Sequence, residues 1–416
     1  MLKKKGLHSL IVPIYWVAGD GAQKLRRHMK KSVKFFSFVD FGPNQVFEDV
    51  SGRHCIFIVS PVQKRICKVL RFKRECPIPD IIAGLDTKSE DRSGNVEYVE
   101  VSQSAIYDMR DKITLATVQE GTALSFVESH PALFPTFGDA WQGIIEATDK
   151  VTRRLLEKVT TSGEGIDDTF VGKGVFVLSE DEVRALDLSQ EEMTQLVPYY
   201  SDEHIRRYYL NRSTSEFLIY SDRSFRNNVT NFPKLKKHID GVQTFISSSN
   251  RPYGLHRPRK RQHFVNPAIL CPQMVRKPRF AYSETEHFVG MSINLIVPYD
   301  KNHAFYLLGI LNSNVVTFWL NRRAKKRGAN IDIGVSTIQN IPVPKQDDTK
   351  NCGEVSRLAK ELFLYLSEKP PSNGRNEFNN HASNVEKRLN EKIYKLYGLG
   401  EDEIEEIEKE VATLEI

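Results

Sequence analysis

Apolar residues along this chain fall into short runs, and the spacing inside each run predicts the elements. Near the N-terminus, "HSLIVPI" is a short apolar run fit for a buried strand. "DGAQKLRRHMKKS" follows as a short basic helix, with Asp20 available as its cap. "VKFFSFVDF" and "RHCIFIVSP" are further strands, joined through the turn "GPNQVFEDVSG". Buried apolar strands with an intervening helix predict one half of an α/β sheet. Half a sheet leaves an edge strand and an uncovered face.

From residue 72 to residue 150 the pattern weakens. Polar turns at "DTKSEDRSGN" lead to an expected helix across "GDAWQGIIEATDKVTRRLLEKV", with Trp141, Ile144, Ile145, Val151, Leu155 and Leu156 near helical spacing. The glycine-rich "TSGEGIDDTFVGKGVFVLSEDEV" opens a region of short strands and turns, including "EFLIYSD", "AILCPQM", "RFAYSE" and "INLIVPYD". One helix, "AFYLLGILNSNVVTFWLNRRAKKRG", is expected to close it. The tail from Lys350 reads as helical, with "EKPPSNGRNEFNN" as a flexible hinge between two helices.

A length of 416 residues suggests two to three domains at roughly 100–200 residues each. With 40% hydrophobic and 27% charged residues, the chain can bury real cores. Its five cysteines (Cys55, Cys67, Cys76, Cys271, Cys352) nowhere form a Cys-x-x-Cys pair, which argues against a disulfide framework or a zinc ribbon. No apolar run approaches the ~18–20 residues that a membrane helix needs. The opening "MLKKKGLHSLIVPIYW" has the basic start of a signal peptide, but Pro13 interrupts its apolar run and no small-residue cleavage site follows. The expected location is the cytoplasm, with no membrane partner.

Motifs of catalysis are missing from the pattern. "GEG" at Gly163 and "GKG" at Gly172 lack the G-x-G-x-x-G spacing, so turn glycines are the better reading. Asp80, Glu97 and Glu100 lack the nearby lysine of a metal-dependent nuclease, and no paired-histidine metal signature occurs. His54, His256 and His263 sit among arginines and read as polar or surface histidines. The expectation is therefore no catalytic, cofactor or metal residue in this chain.

Charge changes the picture more. The net charge of +6 is mild, but residues 251–280 carry eight Lys and Arg and no Asp or Glu. Arg257, Arg259, Lys260 and Arg261 form one cluster, and Arg276, Lys277 and Arg279 a second. A third, Arg322, Arg323, Lys325, Lys326 and Arg327, falls at the end of the expected closing helix, where cations also favour the helix dipole. Such clusters suit phosphates, and Pro258, Pro267 and Pro278 fix loops that could hold arginine at base edges. The plainer alternative is a solvated basic face whose arginine stems cover apolar surface. The last stretch, "EDEIEEIEKEVATLEI", is acidic and reads as a solvated helix face.

A set of segments in fixed order resembles a known family. "GLHSLIVPIYW", "LRRHMKK" and "FVDFGPNQVFEDVSGRHCIFIV" are similar to the part of DNA adenine-N6 methyltransferases that follows their catalytic Asn-Pro-Pro-Tyr motif. "VGKGVFVLSEDEV", "LVPYYSDEHIRRYYLNRSTSEFLIYSD", "LHRPRKRQHFVNPAILCPQM", "LLGILNSNVVTFWL" and "TIQNIPVP" resemble a TaqI-like target-recognition domain. "LNEKIYKLYGLGEDEIEEIE" resembles the helical end of type IIG restriction–modification enzymes.

The resemblance implies four regions. Residues 1–72 would be the distal part of a methyltransferase α/β domain, and 73–160 a connecting region with a helix. Residues 161–345 would be an α+β, TaqI-like DNA target-recognition domain, and 346–416 a helical C-terminal region. The three basic clusters would contact double-stranded DNA, whose target adenine is flipped out for reaction. The family's S-adenosylmethionine-binding glycine turn and its Asn-Pro-Pro-Tyr motif have no counterpart in these residues. S-adenosyl-L-methionine is thus expected in the complete enzyme, not on this chain alone, which is expected to be inactive by itself. Either a separate chain carries the cofactor-binding and catalytic half, or the frame is a remnant of a broken gene. The alternative is a nucleic-acid-binding module unrelated to methylation.

Overall fold

The structure is a computed structural model that describes residues 3, 5–47, 52–72, 74–87, 96–103, 106–107, 111–113, 123–146, 148–160, 167–327, 330–370 and 379–414. The chain divides into two compact units, Met1–Glu120 and Gly121–Ile416.

In the first unit, β1 (His8–Pro13), β2 (Lys34–Asp40), β3 (His54–Ser60), β4 (Ile66–Phe72) and β5 (Val96–Ser102) form one sheet in the order β1-β3-β2-β4-β5. Strand alternation sends Phe38 and Val69 into one core, with Phe35, Cys55, Phe57 and Met29. Val39, Leu70 and Phe72 enter a second core on the other face. The helix Gln23–Ser32 has Ala22, not Asp20, in its cap position. Its Arg26 is buried and donates to the carbonyls of Trp16 and Gly19 at 2.7 Å and of Asp111 at 2.8 Å. Nor is the first strand buried: β1 is an edge strand on which Leu10 is 44% and Ile11 39% exposed. Its apolar run pairs on one side only, with β3.

Among the described residues, the second unit has three sheets. β14 (Phe288–Val289), β8 (Leu196–Tyr200), β10 (Glu216–Ile219) and β7 (Val177–Ser179) lie in that order in one. The next runs β6 (Gly138–Gln142), β15 (Ile293–Pro298), β11 (Ala268–Pro272), β13 (Ala281–Ser283), β9 (Tyr208–Tyr209). The third joins β12 (Met274–Val275), β17 (Asn330–Asp332) and β16 (Lys325–Arg327). β15 is buried on both faces, with Ile296 in a core shared with the C-terminal helices and Ile293 and Leu295 in a core shared with the four-stranded sheet.

Three sequence expectations are corrected here. The helix expected over 138–159 is a strand followed by a shorter helix, Arg153–Thr160. Tertiary pairing overrides the near-helical spacing, because Trp141 pairs with Leu295, Ile144 bridges to Gly290, and Ile145 to Arg257. Gly143 permits this approach, since a Cβ there would lie 2.2 Å from the Gly290 carbonyl oxygen.

The single closing helix is two helices, Ala304–Leu311 and Asn314–Arg323, and Lys325–Arg327 is a strand. Asn312 and Ser313 make the break. The Asn312 side chain accepts from Phe280 N–H at 3.0 Å and donates to Phe280 C=O at 2.8 Å, while Ser313 caps the second helix by accepting from Val316 N–H. Among the described residues the tail holds three helices, not two: Thr349–Glu368, Asn380–Leu396 and Glu401–Ala412. Gly398, at φ +67°, makes the turn between the last two. Most of the expected hinge, 371–378, lies outside the described residues.

Candidate nucleic-acid interface

The loop that follows Gly254 carries the first basic cluster. It is stitched to the segment just after β6 by reciprocal backbone bonds, Arg257 N–H to Ile145 C=O at 2.9 Å and Ile145 N–H to Arg257 C=O at 3.0 Å. Arg259 stands in the left-handed region at φ +61°. Its guanidinium donates to Gly143 C=O and to Gln142 Oε1, both at 3.2 Å, and its carbonyl accepts from the Tyr220 hydroxyl. Burial and the neighbouring Arg257 charge lower its pKa. Arg261 lies over the rings of Tyr220 and Phe288, 5.3 and 5.2 Å from their centroids, with Glu286 at 3.8 Å. Arg259 and Arg261 therefore hold the loop. The side chains of Arg257 and Lys260 are exposed and make no hydrogen bond or ion pair among the described residues.

The second cluster divides the same way. Arg279 donates to Ile205 C=O at 2.8 Å and meets the Asp202 carboxylate at 2.9 Å, tying two connections together. Lys277 lines a cleft of about 650 Å³ along with Arg207, Glu386 and Lys387. Arg276 is exposed, with no partner among the described residues.

The third cluster is mostly engaged with the protein itself. Arg323 makes a two-pronged contact with Glu128, at 2.6 and 2.7 Å. Arg322 meets Glu410 at 2.7 Å and Glu406 at 3.0 Å, and packs over Phe318. Arg327 bonds Asp332 at 2.9 Å, Lys326 donates to Asn321, and Lys325 is exposed on β16. Glu406 and Glu410 belong to the acidic final helix, so its face toward Arg322 is an ion-pairing face and not the solvated one that its composition suggested.

Sequence reading missed what surrounds the first loop. Trp141 is 41% exposed, its ring centroid 4.7 Å from that of His263; Met291 is 50% exposed, and its carbonyl accepts from the Gln142 side chain at 3.0 Å. Trp141 was hidden by its place in an apparent helical pattern; the glycines at 138 and 143 that bracket it were the available signal. Burial, with Lys260 adding to it, keeps His263 below its ordinary pKa. His256 accepts or shares a proton with Ser249 at 3.3 Å, whereas His54 is buried in the first unit. Glu146, also buried, accepts from the Tyr199 hydroxyl at 2.7 Å, and burial pushes its carboxyl up to about 7. Among the described residues, no group of three or more metal-ligating side chains occurs, and no helix is long and apolar enough to cross a membrane.

All three basic clusters fall within a segment that matches a known family. Residues 197–343 match the TaqI-like C-terminal specificity domain, the resemblance that the sequence carried. The chain is 21% identical, over 225 residues, to the type II methyltransferase M.MjaIV of Methanocaldococcus jannaschii, covering 51% of this chain and 74% of that protein. In fold it is similar to the type IIL restriction-modification enzyme MmeI, solved in complex with DNA, with a TM-score of 0.55 and 12% identity over 98% of this chain. The type IIG restriction endonuclease BpuSI is matched over 95% of this chain at 13% identity and a TM-score of 0.36. The chain spans about half the length of these two solved structures, 49% and 47%. Residues 197–343 are thus a TaqI-like specificity domain, in a chain similar to type II methyltransferases.

Proposed function

We propose that this chain is the DNA sequence-recognition part of a site-specific adenine-N6 methyltransferase of a restriction–modification system. The observation that carries the reading is the loop of Arg257 and Lys260. Within the segment matched as a specificity domain, it is braced by Arg259 and Arg261 and leaves two cations without internal partners. A braced loop presents arginine to a base edge at small entropic cost, and free lysine neutralises phosphate. The chemistry of the partner is that of duplex DNA.

S-adenosyl-L-methionine would be held elsewhere in the complete enzyme. Among the described residues of the first unit, the turn from β1 into the helix Gln23–Ser32 carries Gly19 and Gly21 without the G-x-G-x-x-G spacing, and a Cβ at Gly19 would lie 2.8 Å from the Tyr15 carbonyl oxygen. At Gly42 a Cβ would lie 1.9 Å from the Phe72 carbonyl oxygen, so that turn is filled by backbone and offers no cradle. The exposed edge of β1, with Leu10 and Ile11, fits a strand supplied by the cofactor-binding half. Duplex binding by the purified chain tests the recognition role. Radiolabelled methyl transfer tests the rest: the chain alone is expected to transfer none to adenine, and incorporation without any partner would overturn that part.

A further inference from the structure

We infer that Trp141, backed by His263, makes an apolar contact with a base of the bound duplex, outside the segment matched as the specificity domain. The inference rests on the DNA-recognition reading. Trp141 lies on β6, an edge strand, and its cross-strand partner Leu295 is fully buried. One flank of the indole is covered by His263, and its N–H has no hydrogen-bond partner among the described residues. Held below its ordinary pKa, His263 backs the indole with a ring that favours the neutral form. The His263 N–H is bonded to the carbonyl of Lys260, so the aromatic pair and the free cation share one short turn. The nearby carboxylate, Asp139, is occupied by Gln339 at 3.0 Å.

A half-exposed tryptophan set among cations does not suit bulk water or a basic partner. It suits a polyanion with flat apolar faces at its core. Aromatic side chains stack on bases or wedge at base steps, while lysine and arginine beside them hold the phosphates. The two kinds of contact differ in their response to salt. Phosphate contacts release counterions and set the slope of affinity against salt; an apolar base contact does not.

The test is a titration of the purified chain with a random-sequence duplex at several salt concentrations, for wild type, Trp141→Ala, Trp141→Phe and Lys260→Ala. Trp141→Ala is expected to lose roughly tenfold in affinity at every salt concentration with the slope unchanged. Trp141→Phe is expected to retain most of the affinity but to lose the tryptophan fluorescence quenching that duplex causes in wild type. Lys260→Ala is expected to flatten the slope. Equal binding by wild type and Trp141→Ala, or undiminished quenching in Trp141→Phe, would overturn the inference and leave the recognition role standing. Should Trp141→Ala fail to fold, the quenching comparison with Trp141→Phe decides alone. A wild-type chain that binds no duplex would overturn the recognition role itself, and this contact with it.

Discussion

The Arg323 guanidinium grips the Glu128 carboxylate with two bonds, at 2.6 and 2.7 Å, across 195 positions of sequence. Its neighbour Arg322 is held by Glu406 and Glu410. The most basic short run in the chain thus ties the helix Asn314–Arg323 to the helices Ala123–Glu128 and Glu401–Ala412. Arg323→Ala is expected to lower stability by roughly 1–2 kcal/mol, since a partly buried carboxylate would lose its partner. The salt slope of DNA binding should stay as in wild type. A urea midpoint unchanged in the variant, together with a flattened slope, would return this residue to the DNA surface.

The burial of Glu146 sets a pH dependence. Its carboxyl rises from an ordinary 4.5 to about 7 in the folded chain, mainly through burial. A raised carboxyl pKa means that the folded state holds its proton more tightly than the unfolded state. Stability from this group is therefore complete below about pH 4.5 and is lost as pH rises toward 7. Glu146→Gln removes that loss, and above pH 7 the variant should be more stable than wild type by about 3 kcal/mol. The difference should shrink or reverse near pH 4. Urea midpoints of both proteins across this range check the sign; a gap independent of pH would contradict it.

Asn312 is a single-residue hinge between two elements. It is buried and satisfies both backbone groups of Phe280. Asn312→Ala would leave the buried Phe280 N–H unpaired and remove one of the two donors to its C=O, which Tyr208 N–H still serves at 2.8 Å; the cost is roughly 1–3 kcal/mol. Asn312→Asp would keep the acceptor but set a buried carboxylate oxygen against the Phe280 carbonyl, and should lose at least as much. Thermal unfolding of the three proteins orders them; equal midpoints would show that water replaces the side chain.

Much of this architecture was legible in the sequence. Strands such as Ala268–Pro272 and Ile293–Pro298 announce themselves as apolar runs because they are buried on both faces. The same rule misread His8–Pro13, whose apolar run lies at an exposed sheet edge. Trp141, Ile144 and Ile145 were misassigned because helical spacing is a local signal, whereas their partners Leu295, Gly290 and Arg257 are more than a hundred positions away. The basic clusters were visible as composition, but composition does not say which cations are already paired. Only distance separates Arg257 and Lys260 from Arg322 and Arg323, because the acids that neutralise the latter pair lie at Glu128, Glu406 and Glu410.

On the proposed reading, DNA is held by the cations left free, not by the most basic run. The most direct test is the salt dependence of duplex binding for wild type, for Arg257→Ala/Lys260→Ala/Arg276→Ala, and for Arg322→Ala/Arg323→Ala. The first variant should lose affinity at low salt and flatten the slope by ~0.9 for each phosphate contact removed. On a cognate duplex, Arg257→Ala alone should cost roughly 1–3 kcal/mol if it reads a base edge. The second variant should keep the wild-type slope, whatever it loses in stability. A slope that falls in the second variant and holds in the first would contradict the account.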